Sequence, residues 1–313
     1  MLTSLGGGLL GLLDRRLVLT AWLPTALFWG GLGLLAVTGA GWPPALHWWL
    51  RQPAQFQVAM VALALAWITF WAYLVAALVP LFIRIGEGYL PGGLAWLIRW
   101  RLAAHKKHQK DMENAAVYSW QYADYPLSSV RPTRLGNILK ASEEYPLTRY
   151  GIDAVIVWPR LFTVLPDQFV SSIAAAKAPL DLMAVIGALA SAFSVAGTAI
   201  AWALLPWYAP LACFGASVLV AWLAYAGAVQ AARPYAQLIR AAFDVHRGLL
   251  LDAAGLARPK SLRAERRQWE QITHLWYQGT PEDAALLGYP GDDVPGIRGW
   301  LRRPARQGPN KGH

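Results

Sequence analysis

LMAVIGALASAFSVAGTAIAWAL, residues 182–204, contains no Asp, Glu, Lys, Arg or His. A helix of roughly 20 apolar residues spans the hydrocarbon core of a bilayer. In lipid a helix is one of the few structures that satisfies all its own backbone groups. Working outward, three further stretches share this character: 17–38, 58–83 and 210–230. The whole chain agrees, with 56% hydrophobic residues, 15% charged residues and 17 Trp in 313 positions. That is too apolar and too rich in Trp for an ordinary soluble domain. The expected fold class is all-α integral membrane, with four transmembrane helices in two hairpins (17–38 with 58–83, 182–204 with 210–230) and a helical cytoplasmic domain.

Charge orients these spans. The net charge is +10. Of 28 Lys and Arg, 12 lie in 84–180, 13 in 233–313 and two are Arg15 and Arg16, which leaves only Arg51 between the first two spans. Positive loops stay cytoplasmic, so both termini are expected inside. The same asymmetry accounts for the basic balance without a nucleic-acid partner. The single cysteine, Cys213, excludes an intramolecular disulfide.

The chain then divides in order. Residues 1–84 hold an N-terminal region and the first hairpin, with Leu2–Leu13 expected at the interface. Gly31, Gly33 and Ala36 match a dinucleotide fingerprint, but that motif needs a strand before it. In mid-membrane such glycines instead let helices approach. Trp42, Trp48 and Trp49 belong to an external loop and form part of an aromatic belt. Residues 85–180 form a cytoplasmic segment, with an interfacial helix over 94–112. There His105 and His108 lie one helical turn apart. They are the only weak candidates for metal, and the pattern matches no established ligand motif, so no metal is assigned.

Thr133–Ser142 reads as a short helix, and Ala154–Leu165 as an apolar run too short to span. Around them Glu143, Glu144, Arg149, Asp153 and Arg160 form a charged set. Such a set either fixes the fold through ion pairs and caps or builds a ligand or interaction site at the membrane face. Residues 181–232 hold the second hairpin. Gly187, Ser191, Ser194 and Thr198 put small residues at helical spacing, which serves helix packing or lines a polar pore. In the tail, 233–290, Pro234 is placed at the start of a helix ending at Gly255, and Leu262, Trp269, Ile272 and Trp276 mark another. Residues 291–313 are expected to be disordered.

RLGN (134–137), RYGID (149–153), WPRL (158–161) and FDVHR (243–247) together resemble an uncharacterised family of bacterial four-helix integral membrane proteins. The resemblance implies a bacterial inner membrane location and a central stretch that folds with the tail helix. It brings no activity to carry over. No Walker loop, HExxH, GxSxG or CxxC is present, so no cofactor and no catalytic residue is assigned, and the reading leans away from an enzyme.

No Asp, Glu, Lys, Arg or His lies inside the four spans, which argues against a coupled transporter. The expected function is therefore a non-enzymatic, homo-oligomeric passive pore gated by its cytoplasmic domain. One alternative is a membrane anchor or scaffold that recruits a cytoplasmic protein partner. A second is an enzyme acting on a lipid-linked substrate through Arg149, Asp153 and Arg160.

Overall fold

The computed structural model describes residues 17–89, 102–110 and 124–279, and these are helical almost throughout, with no strand among them. Four helices are long and apolar enough to cross a membrane: Val18–Ala40, Ala54–Gly86, Asp167–Leu204 and Tyr208–Ala253. The proposed interfacial stretch 2–13, most of the 94–112 helix, and the 291–313 tail lie outside the described residues.

Helix α1 (Val18–Ala40) opens with a π-helical turn over Val18–Trp22, closed by the Leu23 N–H on the Val18 carbonyl. Pro24 follows directly and has no N–H to give the preceding turn, which is where a widened turn fits. Helix α2 (Trp42–Arg51) replaces the expected loop. Pro43 and Pro44 do not prevent it, because the first-turn N–H groups of a helix have no internal partner to lose. Trp42 and Trp48 stay exposed along it. Helix α3 (Ala54–Gly86) is longer at both ends than the apolar run and passes through Pro80.

Residues 102–110 form α4, and α5 is Arg134–Tyr150. The expectation of a helix ending near Ser142 is corrected here, since α5 continues through Pro146. Helix α6 is Ala154–Val164, capped by Asp153, whose Oδ1 accepts the Val155 N–H at 2.9 Å. Helices α7 (Asp167–Leu204) and α8 (Tyr208–Ala253) contain Pro179 and Pro234 in their interiors. Pro234 therefore does not begin a separate tail helix. A proline removes one backbone donor, and buried Ala232, Ala236 and Ile239 on either side hold α8 continuous through it. Helix α9 (Leu262–Gln278) begins at Ser261, whose hydroxyl accepts the Ala264 N–H, and ends at Gly279 with φ +65°.

These elements form two compact units: 1–144 with 167–240, and 145–166 with 241–313. The central stretch is therefore shared, its first part belonging to one unit and its second to the other. In the first unit, Ala21, Val75, Val79 and Val185 join α1, α3 and α7 in one buried cluster. A second cluster packs Leu135 and Ile138 of α5 against Leu180, Ala228, Val229, Ala232 and Ala236. Three indoles bind α1 to α3: the Trp29 ring lies 5.4 Å from Trp67 and 5.6 Å from Trp71, and Trp67 lies 5.8 Å from Trp71.

The second unit has a core of its own. Ile152, Val157, Leu161, Phe243, Leu251, Trp269 and Ile272 are all buried within it. The Trp158 ring meets Phe243 at 5.9 Å, and Arg247 Nε pairs with Glu265 Oε1 at 2.6 Å. Gly151, with φ +72°, lets the chain turn tightly beneath the Arg266 backbone before α6.

A polar cavity at the end of the bundle

Within the first unit, α4, the turn at 124–125, the start of α5 and Arg233 of α8 line a cavity of about 420 Å³. Its lining includes His105, His108, Asp124, Tyr125, Arg134, Asn137 and Arg233. Local chemistry sets each wall. Gln109, buried on α4, donates to the Pro126 carbonyl at 3.0 Å and ties α4 to the turn. The Tyr125 hydroxyl lies 3.2 Å from His105 Nδ1, and the His108 ring meets the Tyr125 ring edge at 5.8 Å. Burial pushes the Tyr125 phenol up and Asp124 adds to this, against the pull of Arg134, so it remains protonated at neutral pH. On α8, Arg233 Nε holds Asp124 at 3.1 Å, and the same guanidinium donates to Gln230 at 2.8 Å.

The fourth wall is the first turn of α5. Thr133 caps it, accepting the Gly136 N–H on its hydroxyl at 3.0 Å. Asn137 is 1% exposed, and its Oδ1 accepts the Arg131 backbone N–H at 2.6 Å. That bond fixes the carboxamide, because turning it over would set NH₂ against N–H. Its Nδ2 is then buried without a hydrogen-bond partner. Arg134, one turn back, is exposed and makes no ion pair among the described residues.

The residues singled out from sequence fall in different places. His105 and His108 share this cavity, but no group of three metal-binding side chains exists among the described residues. Glu143 pairs with Lys140 at 2.6 Å. Glu144 is a structural clamp: Ser128 donates from its N–H at 3.0 Å and its hydroxyl at 2.6 Å, and Ser129 donates from its hydroxyl at 2.9 Å. Burial would raise the Glu144 carboxyl, but these three donors outweigh it and hold it below the usual carboxylate range. No known family, curated protein or solved structure matches the chain.

Arg149, Asp153 and Arg160 belong to the second unit and do not build a common site there. Arg149 stacks over the Tyr145 ring at 5.3 Å, Asp153 is the α6 cap, and Arg160 lies 4.6 Å over the Trp276 ring. In α7 the Ser191 hydroxyl donates to the Gly187 carbonyl and the Ser194 hydroxyl to the Ser191 carbonyl, each at 2.7 Å. Thr198 Oγ1 is buried without a partner. A Cβ at Gly187 would meet Ala224 of α8 at ordinary van der Waals distance, and one at Gly31 would crowd the Phe193 ring.

Sequence reading missed one charged cluster altogether. In the second unit Asp244 accepts from the Tyr145 hydroxyl at 3.0 Å and the Tyr150 hydroxyl at 2.7 Å, while Arg247 lies 4.0 Å over the Tyr150 ring. Burial, the hydrogen bond to Asp244 and the charge on that carboxylate push the Tyr150 phenol up to about 12. A phenol whose folded pKa exceeds its unfolded value of about 10 stabilises the fold fully below pH 10. That contribution is lost as pH rises toward 12. Titration at the phenolate absorbance band should show a late-ionising component that Tyr150→Phe removes. A Tyr150→Phe difference spectrum with an ordinary midpoint near 10 would refute it.

Proposed function

We propose that the chain is a membrane anchor that holds a small helical module at the cytoplasmic face, where the module recruits a protein partner. The observation that carries this reading is the second unit's own core, assembled around Trp269 and Phe243 from two stretches far apart in sequence. A segment serving only as a loop between spans would not bury aromatic side chains of this size. The hydroxyls of Ser191 and Ser194 are bonded to their own helix, which supports a packing role for α7. The five charged residues proposed from sequence are each engaged in a cap, ion pair, hydrogen bond or ring contact, which supports a non-enzymatic role.

Recruitment needs an exposed apolar surface, and α8 offers one. Val245 is 69% exposed and Leu249, one turn on, is 37% exposed. A second reading is a pore made from several copies. It is favoured by one feature, a cavity of about 390 Å³ between α3, α7 and α8 whose wall includes Gly187 and Ser191.

Two measurements separate these readings. Full-length protein, inserted in liposomes and checked by protease protection, is expected to conduct no ions selectively. Cross-linking in intact cells should trap a defined cytoplasmic protein, and the double substitution Val245→Asp, Leu249→Asp should abolish that product while the protein stays in the membrane. Selective flux that Ser194→Leu removes would overturn the anchor and establish the pore.

A further inference from the structure

We infer that the cavity between α4, α5 and α8 is a binding site for a phosphate-bearing anion. This goes beyond the anchor reading and does not depend on it.

Asn137 carries the inference. A buried polar donor without a partner costs stability, on the scale of a lost hydrogen bond. Asn137 lines the cavity, where a bound acceptor could satisfy it. The orientation is not arbitrary, because the Arg131 N–H occupies Oδ1 and leaves Nδ2 as the group to be satisfied. Around it stand further donors and positive charge. Arg134 brings a guanidinium that makes no ion pair among the described residues, while Arg233 of α8, already held by Asp124, adds a second positive group to the lining. His108 adds ring nitrogens, and the Tyr125 hydroxyl, engaged with His105 Nδ1, makes the lining more polar. Among the described lining residues one carboxylate stands against these, Asp124, engaged by Arg233. The balance favours an acceptor-rich anion over a cation or a neutral donor.

Size and lining refine the class. The cavity of about 420 Å³ is larger than an inorganic ion needs, and Ala104 and Ile138 make part of the wall apolar. Guanidinium groups match phosphate oxygens in a planar fork geometry. The chemistry that fits is a phosphate carried on a small organic group. Arg233 lies one turn past Gln230, where the uncharged part of α8 ends. That location allows two sources, the headgroup of an anionic phospholipid or a free organic phosphate.

The test uses full-length protein at physiological salt. Thermal midpoint and native mass spectrometry are recorded in a neutral detergent with inorganic phosphate or glycerol 3-phosphate added. They are repeated in phosphatidylcholine nanodiscs with and without phosphatidic acid. A raised midpoint with glycerol 3-phosphate or inorganic phosphate identifies a free-phosphate site. A rise, with retained lipid mass, only in phosphatidic acid identifies a headgroup site. Either result supports the inference if Arg134→Gln weakens binding about tenfold or more. Asn137→Asp should abolish binding, because it keeps the acceptor for Arg131 and replaces the free donor with negative charge. Arg134→Gln, at an exposed position, is expected to fold normally, and its unliganded midpoint should match the parent. The inference is overturned if no probe binds the parent protein, or if binding persists unchanged in both variants.

Discussion

Replacing Trp269 with alanine should unfold the second unit while leaving the membrane helices in place. The indole is fully buried, as are Phe243 and Ile272 of the same unit, and Trp→Ala changes in cores cost about 3–5 kcal/mol. Whole domains are stable by only about 5–15 kcal/mol, and a unit this small lies toward the low end. The loss is therefore comparable with everything that holds the unit together. Hydrogen exchange on protein in nanodiscs would show it by region. Peptides from Ala154–Val164 and Leu262–Gln278 should lose protection, while peptides from 182–204 should keep theirs. The indole Nε1 is buried without a partner, which gives the experiment a second arm. Trp269→Phe removes that unsatisfied donor as well as some volume, so the two effects oppose each other. It should cost far less than the alanine change. Equal damage from both substitutions, or none from alanine, would mean that the second unit is not organised around this side chain.

The four long apolar helices were legible in the sequence because lipid imposes its requirement on every residue of a span. An uninterrupted apolar run such as 182–204 leaves little else for the chain to be. The ends of the helices were not legible, and the reason is proline. Pro80, Pro146, Pro179 and Pro234 all sit inside helices, where a local reading takes proline as punctuation. A proline removes one hydrogen bond, a penalty that packing on both sides of a long helix can offset. Sequence periodicity carries no record of that packing.

The candidate site was visible only in fragments. His105 and His108 drew notice as one turn of a helix, and RLGN as a motif that contains Arg134 and Asn137. What joins them is partly long-range: the Asp124–Arg233 pair connects residues more than a hundred positions apart, whose proximity no local spacing reports, while the Arg131–Asn137 bond is local but depends on the turn that leads into α5. Glu144 shows the same limit from the other side. It stood beside Glu143 as half of an acidic pair, yet it is the acceptor for a serine turn sixteen residues earlier. Asp244 sits in the FDVHR motif, where it reads as an ordinary helix-surface acid. Its role depends on two tyrosines at the end of α5 that the fold brings to it.

Gly136→Ala is expected to destabilise the first unit more than its size suggests. The glycine has no left-handed backbone to justify it, and in a helix alanine is normally the better residue. Its reason is space. A Cβ at this position would collide with the Glu87 carbonyl oxygen at the end of α3 and would stand 2.9 Å from Arg131 Cβ and 3.0 Å from the Thr133 hydroxyl. The first of these is backbone, so no side-chain rotation relieves it. Helix α5 must move away from α3, and overpacking of this kind costs about 1–3 kcal/mol. Leu135 and Ile138 flank the glycine and belong to the cluster that joins α5 to α7 and α8, so the shift loosens that cluster too. Gly33, with nothing within 4 Å of its would-be Cβ, is the matched control. Gly33→Ala should leave the thermal midpoint in detergent unchanged or slightly raised, whereas Gly136→Ala should lower it by several degrees. Equal midpoints for the two variants would show that the contact between α5 and the end of α3 is not a fixed one.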